Sequence, residues 1–230
     1  MKPAGEFETS FFRRLASYGY SPRVIYDVGA AKGYWSRMAA EVFSAAEFHL
    51  FEPLAGHFPD YEAPMKSVLS SHASFSLHAI ALGNQTGEQT IHMTPDGVSS
   101  SLHPIWGSNI SKLKIPCWRL DEYVQAQHIP PPSVLKVDSQ GAEALILEGA
   151  GALLDTTDLL FLEAWLERGY GPETPLLTEL SEALRGRGFI LVEIGNPYFS
   201  EWHRLASVDA FFLSKRLMQE IREPSNGWRW

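Results

Sequence analysis

Only one cysteine, Cys117, occurs in the chain, so no internal disulfide can form and a reducing, cytoplasmic setting is expected. No run approaches the roughly 18 apolar residues that cross a bilayer, and no apolar leader of signal-peptide character precedes the first motif. Basic residues are the minority: 19 Lys and Arg stand against 27 Asp and Glu, for a net charge of −8, and they are scattered. A phosphate backbone calls for clustered cations, so this balance argues against a nucleic-acid partner, and nothing in the sequence suggests a membrane partner. His-x-x-His pairs and cysteine clusters are missing, which argues against zinc. Repeats and low-complexity tracts are missing as well. With 230 residues and 45% hydrophobic content, one substantial core and a single domain over 1–230 are expected.

What is present begins at Val24. The apolar Val24, Ile25, Tyr26 and Val28 give way to Gly29 and Gly33, the pattern of a buried parallel strand whose turn leaves a helix N-terminus open to a ligand. Glu52 follows Gly33 by 19 residues, at the end of the apolar run Phe48-His49-Leu50-Phe51, where an acid accepts hydrogen bonds from ribose hydroxyls. A dinucleotide turn reads G-x-G-x-x-G so that backbone presses on a pyrophosphate. Here only G-x-x-x-G is found, with Asp27 two residues ahead of it. An acid there repels phosphate and attracts ammonium. S-adenosylmethionine carries a ribose, an ammonium and a sulfonium but no phosphate, so Asp27 and Glu52 suit it better than NAD. The competing reading of Asp27 is a helix cap.

A second motif is Lys136-Val-Asp-Ser-Gln-Gly-Ala-Glu143, followed by Leu147, Gly149 and Ala150. Together with DVGAAKGYWS from Asp27 and with Phe51-Glu52-Pro53, it resembles the FkbM family of S-adenosylmethionine-dependent methyltransferases. The corresponding family segments read about DVGAN-x-G, FEP and K-[IV]-D-x-[EQ]-G-x-E. The resemblance spans about residues 20 to 215 and departs at Ala31, where Asn is usual. It implies an α/β class I methyltransferase fold, Rossmann-like, with a seven-stranded mostly parallel sheet, an antiparallel last strand and helices on both faces. It also implies a hydroxyl acceptor on a small molecule, sugar or secondary metabolite, with S-adenosylhomocysteine as product. A non-catalytic S-adenosylmethionine-binding scaffold and an NAD-dependent oxidoreductase are the alternatives.

Strands are expected at 24–29, 47–52, 75–82, 133–139, 159–164, 189–195 and 208–214. The last two are too close for a parallel crossover, so the final strand should be antiparallel. Phe7, Phe11, Phe12 and Leu15 at near-helical spacing predict a covering helix within 1–20. Short extended pieces at Thr90–Thr94 and Lys114–Trp118 predict an added hairpin around a lid over 95–114, which contains Gly97 and Gly107. Residues 216–230 form a tail with Trp228 and Trp230, suited to docking on the body or on a partner, and homo-oligomerisation is left open.

Ligands of an open parallel sheet sit beyond the carboxyl ends of its strands. The expected cofactor residues are Asp27, Gly29, Ala30, Gly33, Glu52, Pro53, Ala81 and Asp138, with Ala81 and Leu82 as the adenine wall. Asp138 and Glu163, ending adjacent strands, are the leading catalytic candidates, and they would be the ligands if a divalent cation were used. None is expected. His203 and His103, on loops that should overhang the site, are further proton acceptors. Lys136 is read as the partner that fixes neighbouring carboxylates, and Glu143 as a helix-dipole residue. Asn196 is placed just after the sixth strand. Trp165, Tyr170, Tyr198 and Trp202 are candidates for an apolar acceptor pocket.

Overall fold

The computed structural model describes residues 5–105, 109–200 and 203–221. Gly107, Trp202 and the tail from 222, with Trp228 and Trp230, lie outside the described residues. The chain runs α1 (Glu6–Ser17), β1 (Val24–Val28), α2 (Tyr34–Ala40), β2 (Glu47–Phe51), α3 (Pro59–Ser71) and β3 (Phe75–His78). Then come β4 (Ala81–Gly83), β5 (Gly87–Met93), β6 (Ser111–Arg119), α4 (Leu120–Gln127), β7 (Val134–Val137) and α5 (Glu143–Ala150). β8 (Leu159–Trp165), α6 (Leu177–Gly186), β9 (Phe189–Phe199), β10 (Leu205–Ser214) and α7 (Lys215–Glu220) complete it.

Seven strands form one sheet in the order β3-β2-β1-β7-β8-β10-β9, with β10 antiparallel to both of its neighbours and β1, β2, β3, β7 and β8 mutually parallel. The reversed last strand follows from the short β9–β10 turn, which leaves no length for a crossover. Side-chain alternation along β1 sends Val24, Tyr26 and Val28 into a core shared with α4, α5 and α6. Ile25 goes to the opposite core, built with α1, α2, α3 and α7. The predicted covering helix is α1, whose Phe11, Phe12 and Leu15 are at most 1% exposed, each worth ~1.5–3 kcal/mol of transfer free energy.

Three expectations need correction. The strand read at 75–82 is broken after His78: the Ile80 N–H turns back to the His78 carbonyl at 2.9 Å. Ala81–Gly83 then pairs parallel with Cys117–Arg119 of β6. β6 also pairs antiparallel with β5, so the predicted hairpin is part of a separate three-stranded sheet. Because β6 starts at Ser111, the lid segment ends earlier than 114. The sixth strand runs on to Phe199, so Asn196 is inside β9, where it donates to Asp209 Oδ2 at 2.7 Å. Cys117 is 2% exposed in the middle of β6, and burial pushes its thiol up to about 11.

Candidate active site

The β1–α2 turn is held open by close backbone packing. Gly29 has φ 73°, and a Cβ there would meet the Asp138 carbonyl oxygen at 1.9 Å, so only glycine lets β1 and β7 approach this closely. The N–H groups of Gly29 and Ala30 donate to the Phe51 carbonyl at 3.0 and 3.2 Å, tying the turn to the end of β2. Ala31 is left-handed at φ 47°, a conformation Asn adopts more readily. Its N–H donates to Glu52 Oε2 at 2.7 Å, and the Leu54 N–H donates to Oε1 at 2.8 Å. Glu52 therefore joins two loops and keeps one lone pair per oxygen for a ligand. Burial raises its pKa, against the pull of the Leu54 and Ala31 donors.

Beyond the strand ends lies a cavity of about 100 Å³. Gly29, Ala31, Glu52, Pro53 and Leu54 line one side, and Ile80, Ala81, Leu82 and Ile91 give an apolar wall. Gly97, Val98, Ser100 and Leu102 cover it, and Asp138, Ser139 and Gln140 close the far end. No lysine, arginine or histidine is among these described lining residues. Two carboxylates, an apolar wall and no cation fit a ribose and a sulfonium, and are wrong for a pyrophosphate.

Not every expected residue reaches this cavity. Asp27 is fully buried on the opposite face of β1, accepting from Ser36 Oγ at 2.7 Å, with Lys136 Nζ 2.9 Å from its Oδ1. Its charge is thus spent on Lys136 rather than presented to a ligand. Lys136 also donates to the Gly29 carbonyl at 2.8 Å and lies 3.7 Å from Asp138. Burial alone would lower the Lys136 pKa, but Asp27 and Asp138 overcome it and hold the ammonium above its ordinary value. Lys136 is a fixing partner, as expected. Ala30 packs in the core, and Gly33, at φ 74°, begins α2 against Val68 and Leu50. His203 is exposed in the β9–β10 turn and lines none of the cavity; β9 stands three strand spacings of ~4.8 Å from β7.

Asp138 immediately follows β7, and Glu163 lies on the adjacent β8, just past the last β7–β8 pair but two residues short of the end of that strand, which runs on to Trp165. Gln140, not assigned a role from sequence, joins them: its Nε2 is 3.1 Å from Asp138 Oδ1 and 3.1 Å from Glu163 Oε2. The Asp138 side chain is 40% exposed at the cavity edge. Glu163 is set behind it and also accepts from Ser207 Oγ at 3.1 Å. Burial, with Asp138 and Glu143 nearby, pushes Glu163 up to about 9, so at neutral pH it is a neutral acid. Glu143 is fully buried rather than facing solvent at its helix end. Its Oε1 accepts from Ser139 N at 3.0 Å and Gly141 N at 3.2 Å, and burial raises it to about 7.

His103 is 9% exposed, and its Nε2–H donates to the Gly141 carbonyl at 2.9 Å, so it pins the lid to the β7–α5 loop instead of facing the cavity. Tyr170 packs edge-on against Trp165 with centroids 5.2 Å apart, and its hydroxyl donates to Gln140 Oε1. Tyr198 is 58% exposed on β9, away from any pocket with these two. Among the described residues, no group of three His, Cys, Asp or Glu is arranged to hold a metal ion.

Residues 27–205 match the family model described as the methyltransferase FkbM domain. Among solved structures, methyltransferase FkbM from Methylobacillus flagellatus KT superposes with a TM-score of 0.53 at 16% identity, covering 83% of this chain. The match takes in 43% of that structure's chain. The O-methyltransferase TomG from Streptomyces achromogenes, solved with S-adenosylmethionine, gives 0.52 at 12% identity over 93% of this chain and 80% of its own. The N-methyltransferase NodS from Bradyrhizobium japonicum WM9 gives 0.50 at 9% identity over 93% and 98%. No curated protein matches by sequence.

Proposed function

The chain belongs to the FkbM family of S-adenosylmethionine-dependent methyltransferases, and from that premise we propose that it methylates a hydroxyl oxygen of a small molecule, sugar or secondary metabolite. The observation that carries this reading is the cavity lined by Glu52 and Asp138 without a described cation. S-adenosylmethionine, when bound, supplies an electrophilic methyl on a sulfonium with a neutral thioether leaving group. Glu52, Pro53 and the backbone at Gly29 and Ala31 hold the nucleoside end, and Ala81 with Leu82 takes the adenine. Asp27, Ala30 and Gly33 act one layer back, by fixing Lys136 and the turn.

Asp138 orients the acceptor hydroxyl and takes up the proton it loses as the new C–O bond forms. Glu163, a neutral acid at pH 7, does not compete for that proton and contributes as a hydrogen-bonding partner. No divalent cation is required, and neither nucleic acid nor membrane is a partner. The setting is cytoplasmic, and homo-oligomerisation is compatible with this chemistry. An NAD-dependent oxidoreductase would need cationic or backbone contacts to a pyrophosphate, which Asp138 and Glu52 oppose.

Incubation with methyl-labelled S-adenosylmethionine and two acceptor panels, sugars and alcohols against amines, tests the acceptor class. Label recovered as a methyl ether is expected. Label recovered as N-methyl overturns the hydroxyl assignment, and bound cofactor with no transfer to either panel favours the scaffold alternative.

The cavity is smaller than the ~300–1,000 Å³ usual for small-molecule sites, so the covering segment must yield on binding. Ser101 Oγ donates to the Gln140 carbonyl at 2.6 Å and His103 anchors beside it, which fixes the segment at one end. Its tip, with Val98 52% exposed, is the part free to swing. Hydrogen exchange at 97–100 should change when S-adenosylhomocysteine is added, while 101–103 stays the most protected part. Identical exchange with and without ligand would reduce the segment to a fixed wall.

A further inference from the structure

Gln140 occupies a strained turn that its surroundings hold in place. It is left-handed at φ 53°, uncommon for a residue with a side chain, and Gly141 follows at φ 94°. Ser101 Oγ donates to its carbonyl, and Glu143 accepts the N–H groups on either side of it. Non-glycine residues kept in this region cost of order 1–3 kcal/mol and mark places where the side chain's aim matters.

The aim here is toward two acids. Gln140 Nε2 lies 3.1 Å from Asp138 Oδ1 and 3.1 Å from Glu163 Oε2, and Gln140 Oε1 accepts the Tyr170 hydroxyl. The amide orientation follows from Asp138, whose carboxylate oxygens only accept and so take the NH2 end, which leaves the Gln140 oxygen for the tyrosine proton. Tyr170 is itself held by Trp165 and by a Thr174 Oγ1 that accepts the Tyr170 N–H at 3.0 Å.

We propose that Gln140, locked by Tyr170, is a positioning residue that holds the Asp138 carboxylate at the cavity so that the site prefers the sulfonium form of the cofactor to the neutral thioether product. This rests on the reading of Asp138 as the carboxylate at the reacting atoms. Asp138 Oδ2 already lies 3.7 Å from Lys136 Nζ, and without the Gln140 donor on Oδ1 the carboxylate would close further on that ammonium, which would offset more of its charge at the cavity. Two donors to Asp138 and Glu163 also separate acids that face Glu143 from α5 and Asp209 from β10, both pushed up to about 7 mainly by burial. Once the methyl has left, the thioether has no charge for Asp138 to attract, so the same arrangement favours product release.

Calorimetric titration of the whole protein with S-adenosylmethionine and, separately, with S-adenosylhomocysteine from pH 6 to 9 reads this preference directly. Gln140→Ala should cut the ratio of the two affinities about tenfold through the sulfonium ligand, with the thioether ligand changed less than about twofold. Tyr170→Phe, which removes one oxygen and keeps the ring against Trp165, should cut it about threefold. Gln140→Glu puts a third acid between the pair and should move the pH at which the preference develops upward by about one unit. Equal loss of both ligands, or an unchanged ratio in Gln140→Ala and Tyr170→Phe, overturns the proposal. Asp138→Asn separates the two layers: if it too leaves the ratio unchanged, the reading of Asp138 falls with it, and if it lowers the ratio while the Gln140 and Tyr170 variants do not, Gln140 alone is wrong.

Discussion

Replacing Asp138 with Asn should lower turnover by about 10²-fold or more, the usual worth of a positioned base, while S-adenosylhomocysteine binding stays within a few-fold of wild type. Asparagine keeps the shape and its place at the cavity edge, so what is lost is the carboxylate's capacity to take a proton. Chelator should leave wild-type turnover unchanged, in line with a site whose described residues form no metal-ligand group. Single-turnover rates beside calorimetric affinities separate chemistry from binding. Turnover retained in Asp138→Asn would leave deprotonation to solvent, because the other sequence candidates cannot take over: Glu163 is neutral at pH 7, His103 is committed to the Gly141 carbonyl, and His203 lines no part of the cavity.

Glu52→Gln should weaken S-adenosylmethionine by about 1–3 kcal/mol, roughly 5- to 150-fold, through the lost charged acceptor. A small loss of stability accompanies it, because the Ala31 and Leu54 N–H groups each require an oxygen and glutamine offers one. Titration calorimetry with a thermal melt on the same variant reads both. If affinity is unchanged in the folded variant, Glu52 serves only to join the two loops and the ribose is bound elsewhere.

The positions of the sheet and of the turns that line the cavity were legible in the sequence because both are written locally. Apolar runs ending in Gly29 and in Glu52, and the Lys136–Glu143 motif, each report one strand and the turn after it. The short spacing between the runs at 189–195 and 208–214 implied the reversed last strand. Asp27 shows the limit of such reading. Its place ahead of the glycines suggested a ligand contact, but strand alternation and the distant Lys136 decide which face it serves, and a residue 109 positions away along the chain is invisible to local pattern. Gln140 was legible as a motif position and illegible as a bridge, since its partners come from β7, β8 and the loop after β8. A left-handed turn is hinted at by the Gln-Gly pair, and that was the only available signal. The break after His78 was missed because Ile80, Ala81 and Leu82 continue the apolar run while changing sheets.

Cys117 gives the protein a built-in clock. Its thiol sits among Ala81, Ile91 and Ile115, beneath the strand that carries the cavity wall, and at about 11 almost none of it is thiolate at neutral pH. A thiol reagent can therefore reach it only when the small sheet parts. Being alone in the sequence, it labels once, with a rate that counts those partings. Any ligand that ties β4 to the rest of the cavity must slow that count, whether or not a methyl is ever transferred.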